Sequence, residues 1–571
     1  MKIRILLIVM LGLVGLSTNA QDWQWARNST LGGPAFNGVY EQKICTDMAG
    51  NVYITGNFQT DSIMFGSYIL HNSCNSPSPS IFLVKYSNDG NVIWAKSAKG
   101  TIGGDNYTTG ISTDSLCNVY ITGNFQGDSI RFDSILLHQN ILQNIFIAKY
   151  DSSGNVIWAK TPIGGFVDAF SMDLVSDHAG NTFITGSYQN SIIFGVDTFY
   201  SVNPYDDIFI AKYNQSGHVV WAKSIGGNYD EWSHCVCIDS FGNIYIAGEF
   251  VSDSIIFGNT TLFNYFYPNN WATQQSDIYI AKFNPLGDII WAKNIGGNYI
   301  DEPKSIDTDL NGNPYITGLY RSNSITFGST TFTNPNNSQK IFLAKFDTSG
   351  VIQWAKTTDG NNSITDVGRC VRIDNNGNAY ICGEFDSDSI SFDAFTLHNH
   401  SQDTTDIFFA KFASFGNPIF VKDFGGTKHE NGSGLAIDNV GNLYFTGSFQ
   451  SSFIPFGADT VYNATGNYME VFIAKYGFPT GINEPQKTVE GTSVYPNPFS
   501  TQATLTIQDI RTNNNMSLHV YNVLGQEVQN VYVGSATSIT IHRNNLPSGM
   551  YFYKLIDENK EVLGVGKMMV E

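Results

Sequence analysis

Three observations in this sequence predict an all-β fold. Charged residues make up only 14% of the 571 residues, against about 25% in an average domain. Asn, Ser, Thr, Gly and aromatic residues take their place, a composition that suits pleated surfaces joined by tight turns. Apolar residues alternate with Thr, Lys or Ala in short runs such as "NVYITGNF", "IFIAKY" and "VIWAK", and a period of two marks strands. Finally, one phrase recurs along the chain, as "TDMAGNVYITGNF", "IDSFGNIYIAGEF" and "IDNVGNLYFTGSF" among others. Its Asn falls at Asn51, Asn118, Asn181, Asn243, Asn313, Asn378 and Asn442, 62 to 70 residues apart. Self-similarity at a fixed long period is the mark of a repeat architecture.

The chain opens on a different kind of segment. Lys2 and Arg4 precede a twelve-residue apolar run, Ile5 to Leu16, and Thr18-Asn19-Ala20 ends in a small residue. This predicts a secretory signal peptide over residues 1–20, cleaved between Ala20 and Gln21. The run is shorter than the roughly 18 apolar residues that suggest a membrane span. No span is expected, and no Cys follows the run to carry a lipid anchor.

Each repeat unit then offers four strands. In the fourth unit they are "CVCID", "NIYIAGEF", "IYIAKF" and "IIWAK", separated by turn sequences. Four short antiparallel strands, repeated radially, predict propeller blades. The seven units therefore predict a seven-bladed β-propeller over residues 21–478. The "WAK" strand is found at Trp25, Trp94, Trp158, Trp221, Trp291 and Trp354, with Phe420 in the seventh place. The first of these, in "WQWAR", has no unit before it, and the last "VFIAKYG" (471–477) has no such strand after it. The N-terminal strand is expected to pair with residues 471–476 and close the seventh blade, leaving no open sheet edge.

The set "D-x-x-GN-x-Y-I-T-G", "IF-x-AKY", "SG-x-x-x-WAK" and "GG" resembles the SBBP repeats of seven-bladed propellers, over residues 21 to about 478. This chain departs from them by inserting "DSI-x-FG" and a variable loop between the second and third strands. The resemblance implies the fold and no single activity.

Composition changes at "GFPTGINEPQKTVEGT", which holds a linker over residues 479–492. Beyond it, six or seven short alternating runs in residues 493–571 predict a small Ig-like β-sandwich. Pro496 and Pro498 restrict the chain before its first strand, and Gly525 and Gly549 suit turns. The ordered motifs "YPNP" (Pro496, Asn497, Pro498), "VYNVLGQEV" (Gly525), "LPSGMYFYKL" (Gly549) and "GKMMV" (Lys567) resemble the type A C-terminal sorting domain of type IX secretion cargo. The resemblance implies passage through the periplasm and outer membrane, with the type IX machinery as partner of residues 493–571. The destination is the surface or surroundings of a Gram-negative bacterium.

A net charge of −19 argues against nucleic acid and anionic membranes as partners. The seven cysteines, Cys45, Cys74, Cys117, Cys235, Cys237, Cys370 and Cys382, are an odd number without zinc spacing, and read as small hydrophobes. "DTDLNGN" (307–313) starts like a calcium loop, but its twelfth position is Gly318 and not a bidentate acid. "SNDGNVIW" approaches the Asp-box of sialidase propellers with its Trp one residue late. Arg27, Arg131, Arg321, Arg369 and Arg372 share no motif that would grip a carboxylate. His398 and His400 read as loop polarity. No catalytic residue, cofactor or metal ligand is assigned.

Function is sought in the departures from the repeat. The insert "NTTLFNYFYPNNWATQQSD" (259–277) carries Tyr265, Phe266, Tyr267 and Trp271, suited to stacking on a sugar or gripping a protein. It equally suits covering the edge of its own blade. Glu41, Asp230, Glu231, Asp301, Glu302, Asp366 and Glu430 fall mostly just after the Gly-Gly turns and predict a repeated acidic rim. The expectation is a monomeric binding or adhesion scaffold for a glycan or protein. A glycan hydrolase or lyase, needing two carboxylates about 5 to 10 Å apart, and a purely structural matrix protein are the alternatives.

Overall fold

The computed structural model describes residues 21–33, 38–74, 78–138, 143–164, 169–202, 204–265, 275–360, 363–401, 404–464, 466, 468–477, 492–507, 515–522, 526–534, 536–544, 546–557 and 562–571. Every regular element among them is a β-strand. They fall into two compact units that divide between residues 478 and 479. The predicted cleavage residue Ala20, the linker up to residue 491, and Gly525 lie outside the described residues.

The first unit contains seven four-stranded antiparallel sheets. The fourth shows the plan, with strands Glu231–Ile238, Ile244–Phe250, Asp277–Phe283 and Ile289–Ile295 side by side in sequence order. The "DSI-x-FG" insertion forms a separate hairpin, Ser254–Phe257 with Thr260–Phe263. Second and third strands are buried along their whole length because neighbouring sheets cover both faces. The cores accordingly lie between sheets: Cys237, Tyr245 and Ile280 of the fourth pack with Ile306, Ile316 and Phe342 of the fifth.

The seventh sheet is assembled from both ends of the unit. Its order is Asp22–Asn28, Glu470–Gly477, Leu443–Phe449, Glu430–Ile437, with Trp25 opposite Lys475. The first strand of every sheet lies against the first strand of the next, and Glu430–Ile437 lies against Val39–Thr46.

The repeated residues form a clamp between neighbours. In the fourth sheet Asp239 Oδ1 accepts from the backbone N–H of Phe241 and Asn243, at 2.9 and 2.8 Å. Its Oδ2 accepts from Asn243 Nδ2 at 2.8 Å and faces Lys282 Nζ at 3.8 Å. Asp-Gly-Asn is thus a turn whose carboxylate is already satisfied, which accounts for its imitation of a calcium loop. Trp291 Nε1 donates 3.0 Å to the Thr348 carbonyl in the turn of the fifth sheet. A Cβ on Gly350 of that turn, at φ +81°, would lie 3.1 Å from the Trp291 ring. The "WAK" tryptophans therefore pack between sheets. Trp25 makes the same contact, donating 3.0 Å to the Asn88 carbonyl.

All seven cysteines are free, and five are buried. Cys370 stands opposite Cys382 across an antiparallel pair, where each fills core volume.

The second unit has two sheets. Thr492–Tyr495, Gln502–Ile507 and Ser538–His542 form one; Glu527–Gly534, Met516–Asn522, Gly549–Asp557 and Val562–Val570, in that order, form the other. Leu505, Ile541, Leu518, Leu555 and Met568 share a single core between them.

Candidate functional site

The seven first strands surround a cavity of about 300 Å³. Lys43, Asp173, Asp307 and Arg372 line its interior. The two aspartates are staples: Asp173 Oδ2 accepts from Val236 N–H at 3.1 Å, and Asp307 Oδ2 from Ile373 N–H at 2.9 Å, each on the neighbouring sheet. Burial raises both carboxyls, opposed by Lys43 at Asp173 and by Arg372 at Asp307.

At one mouth the backbone re-aims its side chains. Each first strand carries a register shift near its start, between Ser233 and Cys235, Pro303 and Ser305, and Gly368 and Cys370 in the fourth to sixth sheets. A β-bulge turns the extra residue out of the alternation. Here those residues are His234, Lys304 and Arg369. His234 Nε2 lies 3.0 Å from Glu249 Oε1, and Lys304 Nζ is ion-paired with Glu302. Arg369 Nη2 lies 2.6 Å and its Nε 2.7 Å from Glu384 Oε1. Burial would raise Glu302, but Lys304, then His234 and Arg369, hold it below the usual range. Burial dominates at Glu384 and raises it against the pull of Arg369. The charged pairs of the mouth thus lie on three adjoining sheets.

Glu302 and Arg369 were both visible in the sequence, though Glu302 only as one of a ring of acids and Arg369 only as an isolated arginine. His234, Glu249, Lys304 and Glu384 were missed. The available signal was a column of the repeat: "AGEF" and "CGEF" carry Glu249 and Glu384 where "TGNF" and "TGSF" carry Asn or Ser.

The predicted acidic rim is corrected by burial. Glu231, Asp301, Asp366 and Glu430 are fully buried. Each bonds a Ser of its own sheet: Asp301 Oδ2 accepts from Ser322 Oγ at 2.7 Å, Asp366 Oδ2 from Ser387 Oγ at 2.7 Å, and Glu430 Oε1 from Ser451 N–H at 3.0 Å. Glu231 likewise accepts from Ser252 Oγ. Asp230 Oδ1 accepts from Asp206 N–H at 2.9 Å, and the side chain of Glu41 lies outside the described residues. The neighbouring Gly-Gly pairs make room for further buried acids: a Cβ on Gly296 would fall 1.8 Å from Asp277 Oδ1. Among the predicted acids whose side chains are described, Glu302 is the one at the polar mouth.

These buried acids predict an inverted pH dependence. Burial pushes Glu231 up to about 8, Asp301 to about 8, Asp366 to about 6, Glu430 to about 7 and Asp277 to about 7. The unfolded chain releases the same protons near the ordinary values of 3.8 for Asp and 4.5 for Glu. Between these limits the native state binds more protons, so this contribution is full below the unfolded values and is lost as pH rises through the folded ones. The melting temperature is expected to be higher at pH 5 than at pH 8, and Asp301→Asn should flatten the slope. A melting temperature that climbs from pH 5 to pH 8 in differential scanning calorimetry would contradict this.

Of the aromatic insert the structure describes residues 259–265 and 275–277. Tyr265 is exposed and its N–H donates 2.7 Å to Asp277 Oδ2. Ser276, near the end of the insert, donates from Oγ to Glu249. Phe266, Tyr267 and Trp271 lie outside the described residues. His398 ends the short strand Phe395–His398, and His400 Nδ1 lies 2.5 Å from Asp406 Oδ2. Gln21 Oε1 accepts from Tyr380 Oη at 3.3 Å.

In the second unit the sequence motifs from opposite ends meet. Asn497 Oδ1 accepts from Met569 N–H at 2.7 Å, and its Nδ2 donates 3.3 Å to the carbonyl of Lys567. Phe499 N–H donates to the Met569 carbonyl, and Glu571 N–H to that of Phe499, both at 3.0 Å. Pro496 and Pro498 flank this clamp, and Gly549 starts the strand paired with Val570. Residues 493–571 match the family described as Secretion system C-terminal sorting domain. The chain ends in a sorting domain. It is a secreted or cell-surface protein of a Gram-negative bacterium, and the sorting domain is its link to the type IX machinery.

The similarities to whole proteins are weaker. The chain is 27% identical over 420 residues to an uncharacterized WD repeat-containing protein, L264, of Acanthamoeba polyphaga mimivirus, covering 61% of this chain and 30% of that one. It is 24% identical over 282 residues to the regulatory protein FlaEY of Caulobacter vibrioides, covering 47% and 28%. It thus spans less than a third of the length of either relative. Among solved structures, a protein of unknown function from Dyadobacter fermentans aligns over 79% of this chain and 99% of its own, with 7% identity and a TM-score of 0.33. PorZ, an essential bacterial surface component of the type-IX secretion system of Porphyromonas gingivalis, aligns over 96% and 100%, with 9% identity and a TM-score of 0.16. At those scores neither structure carries an argument. No helix among the described residues is long and apolar enough to cross a membrane.

Proposed function

We propose that the protein is a seven-bladed β-propeller of the SBBP-repeat type, closed by its N-terminal strand and exported by its sorting domain to bind a glycan or protein ligand. Residues 1–20 serve as the signal peptide, cleaved between Ala20 and Gln21. The ligand docks at the polar mouth formed by His234, Glu302, Lys304 and Arg369.

The observation that carries this reading is the local loss of repeat symmetry. The bulge position holds the uncharged Gln42, Thr109, Met172 and Ser433 in four sheets, but His234, Lys304 and Arg369 in three successive ones. Residues on a rigid scaffold that depart together at one place suit recognition. Charged groups there are already paired: Glu249 with His234, Glu302 with Lys304, and Glu384 with Arg369.

The test is a glycan array and a surface-protein binding screen with the secreted chain starting at Gln21. The expected result is ligand capture that Arg369→Ala weakens at least about tenfold, as for loss of a charged contact in a partly desolvated site. Hydrolysis or elimination of a captured glycan would replace this reading with the enzymatic one. Capture unaffected by Arg369→Ala and Lys304→Ala would move the site elsewhere.

A further inference from the structure

We propose that His234, Glu249 and Glu302 bind a divalent transition-metal cation of the zinc class. One ligand atom from each lies within 4.8 Å of the other two. The three arise on Glu231–Ile238, Ile244–Phe250 and Asp301–Thr308, so two adjoining sheets hold them on rigid strands. Zinc–ligand bonds of about 2.0–2.2 Å place tetrahedral ligands about 3.4 Å apart. Rotation of the side chains by an ångström or so closes the remaining distance.

The chemistry of the set selects the cation. An imidazole nitrogen with two carboxylate oxygens suits zinc and its neighbours, whereas calcium and magnesium take oxygen ligands alone. Three protein ligands leave a fourth position open, as in zinc sites that bind an exogenous group. The outer shell is in place as well: Ser276 Oγ donates to Glu249, which orients that carboxylate.

Repeat register supplies a second, independent observation. The position paired across the first two strands as Trp232 with Glu249 is Tyr40 with Asn57, Tyr107 with Asn124 and Phe170 with Ser187 in the first three sheets. In the fifth it is Glu302 with Leu319, in the sixth Val367 with Glu384, whose acid is taken by Arg369, and in the seventh Asn431 with Ser448. Neither acid is dictated by the fold. Both occur where they reach the same imidazole, and that imidazole is itself a departure at the bulge position.

Lys304 is the competitor. Its ammonium is ion-paired with Glu302, on a side chain that is partly exposed. Glu249 and Glu302 together outweigh this one cation, and Arg369 is turned to Glu384. A bound dication therefore displaces Lys304 from Glu302 and restores charge balance. Removing Lys304 should strengthen metal binding, an effect opposite to that expected if the cluster were only a salt-bridge network.

The experiment uses the full secreted chain, stripped with chelator and titrated with Zn2+, then with Mn2+ and Ca2+, by calorimetry and by elemental analysis after gel filtration. The expected result is about one zinc ion per chain, with a zinc-dependent rise in melting temperature. His234→Ala and Glu302→Gln should weaken zinc binding at least about tenfold, while Lys304→Met tightens it. Melting temperatures in chelator identify any variant that fails to fold, and Lys304→Met then decides alone. Zinc that fails to bind, that binds equally to His234→Ala, or that is outcompeted by calcium overturns the assignment. So does a Lys304→Met chain with weakened binding.

Discussion

Removing residues 21–33 should lower the melting temperature drastically and drive the chain into aggregates. The segment contributes the outer strand of the seventh sheet, with six registered pairs from Asp22–Gly477 to Asn28–Phe472. Two buried tryptophans leave with it. Trp23 packs edge-on against Phe456 at 4.9 Å and Phe424 at 5.4 Å, and Trp25 covers Gly90 of the first sheet. Trp23 occupies the place of Val92 in the repeat, each opposite the last Tyr of its third strand, and sits on the side where the sixth sheet has Phe420 instead of Trp. Both rings pack on Phe409 and Tyr476. Truncating one buried Trp costs about 3–5 kcal/mol, so losing two approaches a whole domain stability of about 5–15 kcal/mol. The exposed edge of Glu470–Gly477 then offers unpaired N–H and C=O groups to other chains. Thermal melts and size-exclusion chromatography check this, with Trp23→Ala and Trp25→Ala as milder versions. A truncated monomer with an unchanged melting temperature would show that the strand is dispensable.

Deleting residues 493–571 should abolish arrival at the cell surface and leave the protein in the periplasm. The sorting domain has its own core, built on Leu505, Leu518, Ile541 and Leu555, and none of these residues belongs to a core of the first unit. The retained chain is therefore expected to stay folded, with the melting temperature of its first transition unchanged. A milder form targets the clamp: Asn497→Ala removes two hydrogen bonds to the last strand, at about 1 kcal/mol each, and should reduce export in proportion to unfolding of the domain. Fractionation and surface protease accessibility measure both. Normal surface levels of the truncated protein would contradict the role of the sorting domain.

Most of the architecture was legible because its cause is local and repeated. Period-two alternation gives strands, Asp-x-x-Gly-Asn gives turns, and the "WAK" tryptophans recur at the spacing of the sheets. Even the partner of "WQWAR" followed from counting, since one third strand lacked a neighbour. The sorting motifs were equally plain as an ordered set, but their meeting was not: "YPNP" and "GKMMV" touch only because Asn497 reaches Met569 across the folded unit.

The candidate site was largely hidden, and for a physical reason. Acids after the Gly-Gly turns look alike in sequence, yet Asp301 is buried and bonded to Ser322 while its neighbour Glu302 reaches the mouth. A strand sends adjacent side chains to opposite faces, so one residue of offset separates a core lock from a surface ligand. The sequence by itself determined the four strands of each repeat and the strand that completes the seventh sheet, but not the extra hairpin that the "DSI-x-FG" insertion forms. Only the tertiary structure decided which charges meet. Bulges turn His234, Lys304 and Arg369 out of the alternation, and the packing of one first strand on the next brings Glu302 within 4.8 Å of His234 and Glu249 of the preceding repeat.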